Sequence, residues 1–172
     1  GIGVGSLEGY LFPDTYFFPK NADVAQILET MVSRLRSEIS DVLIKRAAEL
    51  GLTLHEVITL ASIIEKETGA PSERPLISSV FHNRLKKKMR LETDPTVIYG
   101  IEDFDGNLTR RHLRAGTPYN TYVIRGLPPG PIANPGEAAL EAAPLPRPFH
   151  RMVVAVAGPG GVQHFTFRPA PD

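Results

Sequence analysis

The sequence predicts a helix-rich α+β fold with a small antiparallel sheet that includes a C-terminal hairpin. Two observations lead there. Between Asp23 and Leu85 the apolar residues recur at three- and four-residue spacing, one face of a helix at a time. Near the end, "RMVVAVAG" alternates, turns at "GPGG" and returns as "VQHFTF", the pattern of a hairpin. Helical runs followed by a short strand pair give α+β rather than a parallel sheet with crossover helices. No internal repeat or low-complexity linker divides the 172 residues, so residues 1–172 read as one domain.

The opening, "SLEGYLFPDTYFFPK", is aromatic and interrupted by Pro13 and Pro19, which points to extended or irregular chain laid on the core. From Asp23 onward Val24, Ile27, Leu28, Met31 and Leu35 share one helix face. A second helix starts after Ser40 or Asp41 and stops at Gly51, a suitable residue for the position just past a helix end. The third has a complete start signal. Thr53 and Glu56 stand at capping-box spacing, Leu52 and Val57 at hydrophobic-staple spacing, and the helix runs from Leu54 to about Thr68, before Gly69. Pro75 suits the first turn of a fourth helix, with Leu76, Ile77, Val80, Phe81 and Leu85 inward. Asp94-Pro95 and Asn134-Pro135 each read as a cap and first turn of a shorter helix, separated by the loop-rich "AGTPYNTYVIRGLPPGPIANP".

Composition excludes several functions. Nineteen basic and nineteen acidic residues cancel, so no global field draws the chain to nucleic acid. The run "RLKKKMR" from Arg84 to Arg90 is locally basic, but no aromatics interleave it, and a solvated helix end is its plainest reading. The absence of cysteine removes disulfides and thiolate metal sites. His55, His82, His112, His150 and His164 show no close ligand spacing, so neither metal nor cofactor is expected. No run reaches the roughly 18–20 apolar residues of a membrane helix.

Chemistry centres on "ASIIEKETG". On a wheel at about 100° per residue with Leu54 at zero, Glu65 falls near about 20°, between Ala61 at about 340° and Ile58 at about 40°. Glu67 falls near about 220°, beside Glu56 on the polar side, so the two acids are not a facing pair. A carboxyl set among apolar neighbours is disfavoured as an anion, and a protonated acid near neutral pH is what general acid/base catalysis requires. A solvated or ion-paired rim residue is the ordinary occupant of such a position, and periodicity alone does not choose between the two.

Beyond these patterns, "LEGYLFPDTY", "ASIIEKETG", "VFHNRL", "RLETDPTVIYG" and "YNTYVIRGLPPGPIANPG" occur in the order found in the endolytic murein transglycosylases, the MltG or YceG-like family. The tail hairpin resembles the family's closing segment. The resemblance implies a YceG-like catalytic domain that cleaves the β-1,4 bond between N-acetylmuramic acid and N-acetylglucosamine within glycan strands. The products end in 1,6-anhydro-N-acetylmuramic acid. It further implies that Glu65, the first Glu of "EKET", acts as general acid and then as base. The remaining candidates, all substrate contacts, are Asn83 and Arg84 in "HNRL", Glu92 and Asp94 in "RLETDP", and Tyr119, Asn120 and Tyr122 in "YNTY". Most have a plainer reading: a dipole-complementing charge for Arg84, a surface replacement for Glu92 where the family often has Gln, an N-cap for Asp94, and loop packing for Tyr119, Asn120 and Tyr122. Two other functions stay open. One is a muramidase-type hydrolase pairing Glu65 with Glu92 or Asp94, and the other a non-catalytic peptidoglycan-binding module. The resemblance also implies a membrane helix and a LysM-like subdomain preceding the catalytic part, neither of them in this chain. It implies work on the extracytoplasmic face of the membrane, and contact with peptidoglycan synthases of the elongation machinery.

Overall fold

The computed structural model describes residues 6–146, together with the backbone of two strands at 152–158 and 161–167. Among the described residues seven α-helices follow in order: α1 Val24–Glu38, α2 Asp41–Glu49, α3 Leu54–Glu67, α4 Arg74–Lys86, α5 Asp94–Tyr99, α6 Arg110–Leu113 and α7 Glu137–Ala142. A single 3₁₀ turn, Pro71–Glu73, leads directly into α4.

The start and stop signals act as their chemistry requires. The Asp23 carboxylate accepts from the Gln26 N–H while the Gln26 side chain accepts from the Asp23 N–H, closing a capping box on α1. Thr53 and Glu56 form the same box on α3. α2 ends in a Schellman turn: Gly51 has φ +70°, and the N–H groups of Gly51 and Leu52 donate to Ala48 and Ala47.

α3 is the centre of the molecule. Every residue from Val57 to Ile64 is buried, including Thr59 and Ser62. A helix buried on all sides has no solvent face, so the two hydroxyls satisfy themselves internally: Thr59 donates to the His55 carbonyl and Ser62 to the Thr59 carbonyl. Ser62 Oγ also accepts from the Ile132 N–H, which draws the proline-rich loop onto the helix. Around α3 the core is completed by Tyr10 and Phe12 from the opening segment, Leu35 of α1, Leu43 and Ala47 of α2, Phe81 of α4, Leu91, Ile132, and Ala139 and Leu140 of α7. On α1 only Leu35 is buried, and Val24 is exposed. On α4 the buried residues are Arg74, Ser78, Ser79 and Phe81, so small polar side chains let this helix approach α3 and α7 closely.

The α+β expectation is corrected. Residues 6–146 contain no strand, and the packed body is built of helices and loops alone. The opening segment carries too many prolines and side-chain-bound amides to pair as a strand. Its Gly9 and Leu11 N–H groups both donate to Asn134 Oδ1 instead. Met152–Gly158 and Gly161–Phe167 are antiparallel to each other, with Met152 opposite Phe167 and Gly158 opposite Gly161. Among the described residues these two strands form the one sheet, with each other as partners. No helix among the described residues is long and apolar enough to cross a membrane.

Candidate active site

Glu65 sits on the last turn of α3, with about a quarter of its side chain open to solvent. One carboxylate oxygen accepts from Arg74 Nη2 at 2.6 Å, and the other from the Gly136 N–H at 3.1 Å. Arg74 begins α4 and its side chain is nine-tenths buried. Gly136 is the N-cap residue of α7, so its free N–H belongs to the group of helix-end donors that need a partner. The picture drawn from α3 alone, an acid among apolar side chains, is therefore incomplete. Glu65 is an ion-paired carboxylate with a donor on each oxygen, because α4 and the turn before α7 converge on the end of α3. A wheel describes one helix and cannot see a partner that another helix brings.

Arg74 is the partner of Glu65 that the sequence patterns do not reveal. One local sign is available: a cation in the first turn of a helix opposes the helix dipole. A residue in that place is explained by a partner elsewhere, here Glu65.

Glu67, assigned by the wheel to the polar side, occupies a second pole of the same turn. Its Oε1 accepts the Thr93 hydroxyl. Much of the residue's surface remains solvent-accessible, yet protein crowds the carboxyl itself. Burial of that group pushes its pKa above the ordinary carboxylate range. The Thr93 hydrogen bond and the Arg84 charge pull the other way, and the Asp94 charge adds to the rise.

The structure sorts the other candidates. Asp94 is not a side-chain cap; Thr93 occupies the N-cap position of α5, and Asp94 Oδ1 accepts the Tyr122 hydroxyl at 2.6 Å. Burial, followed by the Asp94 hydrogen bond, pushes the Tyr122 phenol strongly upward, so it stays a donor. Glu92 is exposed with φ +51°, its N–H donates to the Thr121 carbonyl at 3.2 Å, and its carboxylate lies 3.5 Å from Arg84. Arg84 is nearly buried and donates to the Leu91 carbonyl, which makes it an anchor of the 87–93 turn. Asn120 is fully buried: its amide donates to the His112 and Ala115 carbonyls and its oxygen accepts from the Tyr122 N–H. It shapes the loop from inside and cannot reach a bound sugar without unmaking it. Tyr119 packs its ring against Tyr99 at 4.7 Å between centroids. No hydrogen bond or ion pair among the described residues joins Asn83 to the group around Glu65. Two groups thus meet the last turn of α3: Arg74 and the Gly136 N–H at Glu65, and Thr93, followed by the Asp94–Tyr122 pair, at Glu67.

Among the described residues no three His, Asp or Glu side chains converge as a metal site. A separate open depression is lined by Arg110, Arg111, Arg114 and Ala115, and it contains no acid.

A part-buried carboxyl group at the end of a central helix, bounded by loops rich in hydroxyls and aromatics, is a candidate general acid. The sequence matches the YceG-like family over residues 3–165, and the chain belongs to that family. It is 41% identical over 138 residues to the endolytic murein transglycosylase of Bacillus subtilis strain 168, covering 80% of this chain and 38% of that protein. It is 31% identical over 142 residues to the endolytic murein transglycosylase of Streptococcus pneumoniae strain R6, covering 80% of this chain and 26% of that protein. A solved structure of a YceG-like protein from Listeria monocytogenes superimposes with a TM-score of 0.79 at 38% identity, over 92% of this chain and 51% of that one. The chain spans well under half the length of the curated relatives it matches.

Proposed function

We propose that this chain is the catalytic part of an endolytic lytic transglycosylase that cuts peptidoglycan glycan strands between N-acetylmuramic acid and N-acetylglucosamine. The observation that carries this reading is Glu65, a part-buried carboxyl group at the end of the core helix. The names of the relatives supply the substrate class.

In the reaction, protonated Glu65 gives its proton to the glycosidic oxygen as the C1–O bond breaks through an oxocarbenium-like state. The carboxylate left behind takes the proton of the muramic acid C6 hydroxyl, whose oxygen closes on C1 to form the 1,6-anhydro ring. Proton and electron pairs balance with no water consumed. The internal nucleophile is tethered to the reacting sugar, so one carboxylate suffices. Arg74 and the Gly136 N–H hold the carboxylate plane and stabilise the anion that the first step creates, a charge-assisted contact strongest when charge is present.

A hydrolase would need a second free carboxylate to activate water. Asp94 is bound to Tyr122, and Glu92 faces solvent beside Arg84, so neither is poised for that task. Contact with wall synthases and action on the extracytoplasmic face belong to the same reading, through segments of the longer relatives.

The test is digestion of purified glycan strands by the chain and its Glu65→Gln variant, with product ends read by mass spectrometry. Anhydro ends that vanish in the variant are expected. Reducing ends would establish the hydrolase instead, and glycan retained uncut by both proteins would establish a binding module.

A further inference from the structure

The last turn of α3 is clamped twice. Residues two apart on a helix point about 200° apart. Glu65 therefore turns toward Arg74 and Gly136, while Glu67 turns toward Thr93, 26 positions along the chain. What Glu67 grips is no isolated hydroxyl. Thr93, Thr96 and Thr121 are all essentially inaccessible to solvent. The Thr93 N–H donates to Thr121 Oγ1 at 3.1 Å, the Thr96 and Thr121 hydroxyls share a hydrogen bond at 2.8 Å, and Thr96 donates to the Thr93 carbonyl at 2.8 Å. The Glu92 N–H adds a backbone link to the Thr121 carbonyl. This threonine knot fastens the "LETDP" turn to the "YNTY" loop, and the residues that follow Thr93 and Thr121 are the hydrogen-bonded pair Asp94 and Tyr122.

We propose that Glu67 is a positioning residue for the transglycosylase reaction, its bond to Thr93 setting the place of Asp94 and Tyr122 relative to Glu65. Glu67 acts through the threonine knot and takes no part in proton transfer, because Glu65 both gives and regains one proton and the cycle needs no second donor. The Glu67 carboxylate spends a hydrogen bond on a loop 26 residues away, where a side chain at a helix end could instead extend into water. The link matters because catalysis depends steeply on placement: a shift of about 1 Å between a catalytic group and the substrate-holding loops lowers rate roughly 100-fold.

The inference rests on the transglycosylase reading, and its test keeps the two apart. The full chain and its Glu67→Gln and Glu67→Ala variants are compared for kcat and KM on purified glycan strands, and for amide hydrogen exchange without substrate. Glutamine still offers an oxygen to the Thr93 hydroxyl, so Glu67→Gln is expected within about twofold of the parent. Glu67→Ala is expected to lower kcat about 10-fold or more with a smaller change in KM, and to speed exchange at residues 92–94 and 120–122. Equal kcat in parent and Glu67→Ala would overturn the proposal, as would equal loss in both variants or unchanged exchange in Glu67→Ala. A parent chain that releases only reducing ends would remove the transglycosylase reading, while the exchange comparison still decides whether Glu67 holds the loops.

Discussion

Replacing Arg74 by methionine tests the most specific feature of the site. Methionine keeps much of the aliphatic stem and removes the guanidinium that lies 2.6 Å from Glu65. The two side chains are 10% and 26% exposed, so solvent screens the pair only in part. Hydrogen bonds to charged groups contribute about 1.5–3 kcal/mol, and the upper end suits a bond this short and this shielded. If the bond is strongest when Glu65 has given up its proton, its loss is felt in the transition state rather than in substrate binding. At about 1.4 kcal/mol per decade the expected fall in kcat is about 10- to 150-fold, with KM changed by no more than about threefold. Arg74→Lys should recover part of the loss, since an ammonium restores the charge without the planar fork. The assay is release of anhydro-ended products over a range of strand concentrations, with circular dichroism to confirm that each variant is folded. The reasoning fails if Arg74→Met keeps kcat within twofold of the parent, or if KM rises while kcat is preserved.

Two further expectations concern the scaffold. Burial holds the His82 imidazole below its ordinary 6.5, against the pull of its hydrogen bond to the Ala143 carbonyl at 2.7 Å. The unfolded chain then takes up a proton that the native chain refuses, so stability is full above pH 6.5 and declines as pH falls toward the depressed native value. In His82→Gln that part of the decline should be absent from urea midpoints measured between pH 7.5 and about 5. Gly9 has φ +84°, and a Cβ there would lie 2.3 Å from the Pro131 side chain. Gly9→Ala combines a left-handed backbone with a steric clash and is expected to cost about 2–4 kcal/mol in denaturant unfolding; a loss under about 1 kcal/mol would contradict the close packing of the opening segment on the proline-rich loop.

Local chemistry made most of the helices legible. Thr53 with Glu56, Ser40 with Gly51, and the Asp23 start are signals that act over a few residues, and they operate in the fold as they read in the chain. Local signals were less informative where a side chain had distant choices. Asp94 and Asn134 both stand before a proline and look like caps. Asp94 instead accepts from Tyr122, 28 residues on, and Asn134 from the amides of Gly9 and Leu11, more than 120 residues back. Periodicity also misled about the surroundings of α3, since it assumes one wet face and this helix has none between Val57 and Ile64. The sheet expected beside the helices is not found in residues 6–146, because the opening segment gives its amides to Asn134 instead of to a partner strand.

By itself, then, the sequence determined which segments become helix apart from α6, that Glu65 follows an apolar run, and to which family the chain belongs. Those properties depend on neighbours within a turn or two, or on the order of motifs along the chain. Only the tertiary structure decided that Glu65 is ion-paired, that Glu67 reaches the Thr93 knot, and that Asn120 lies inside its loop. Each of those depends on where a second element ends in space. The field and the hydrogen bonds at a carboxyl are set by atoms within a few ångströms, and sequence distance does not report them.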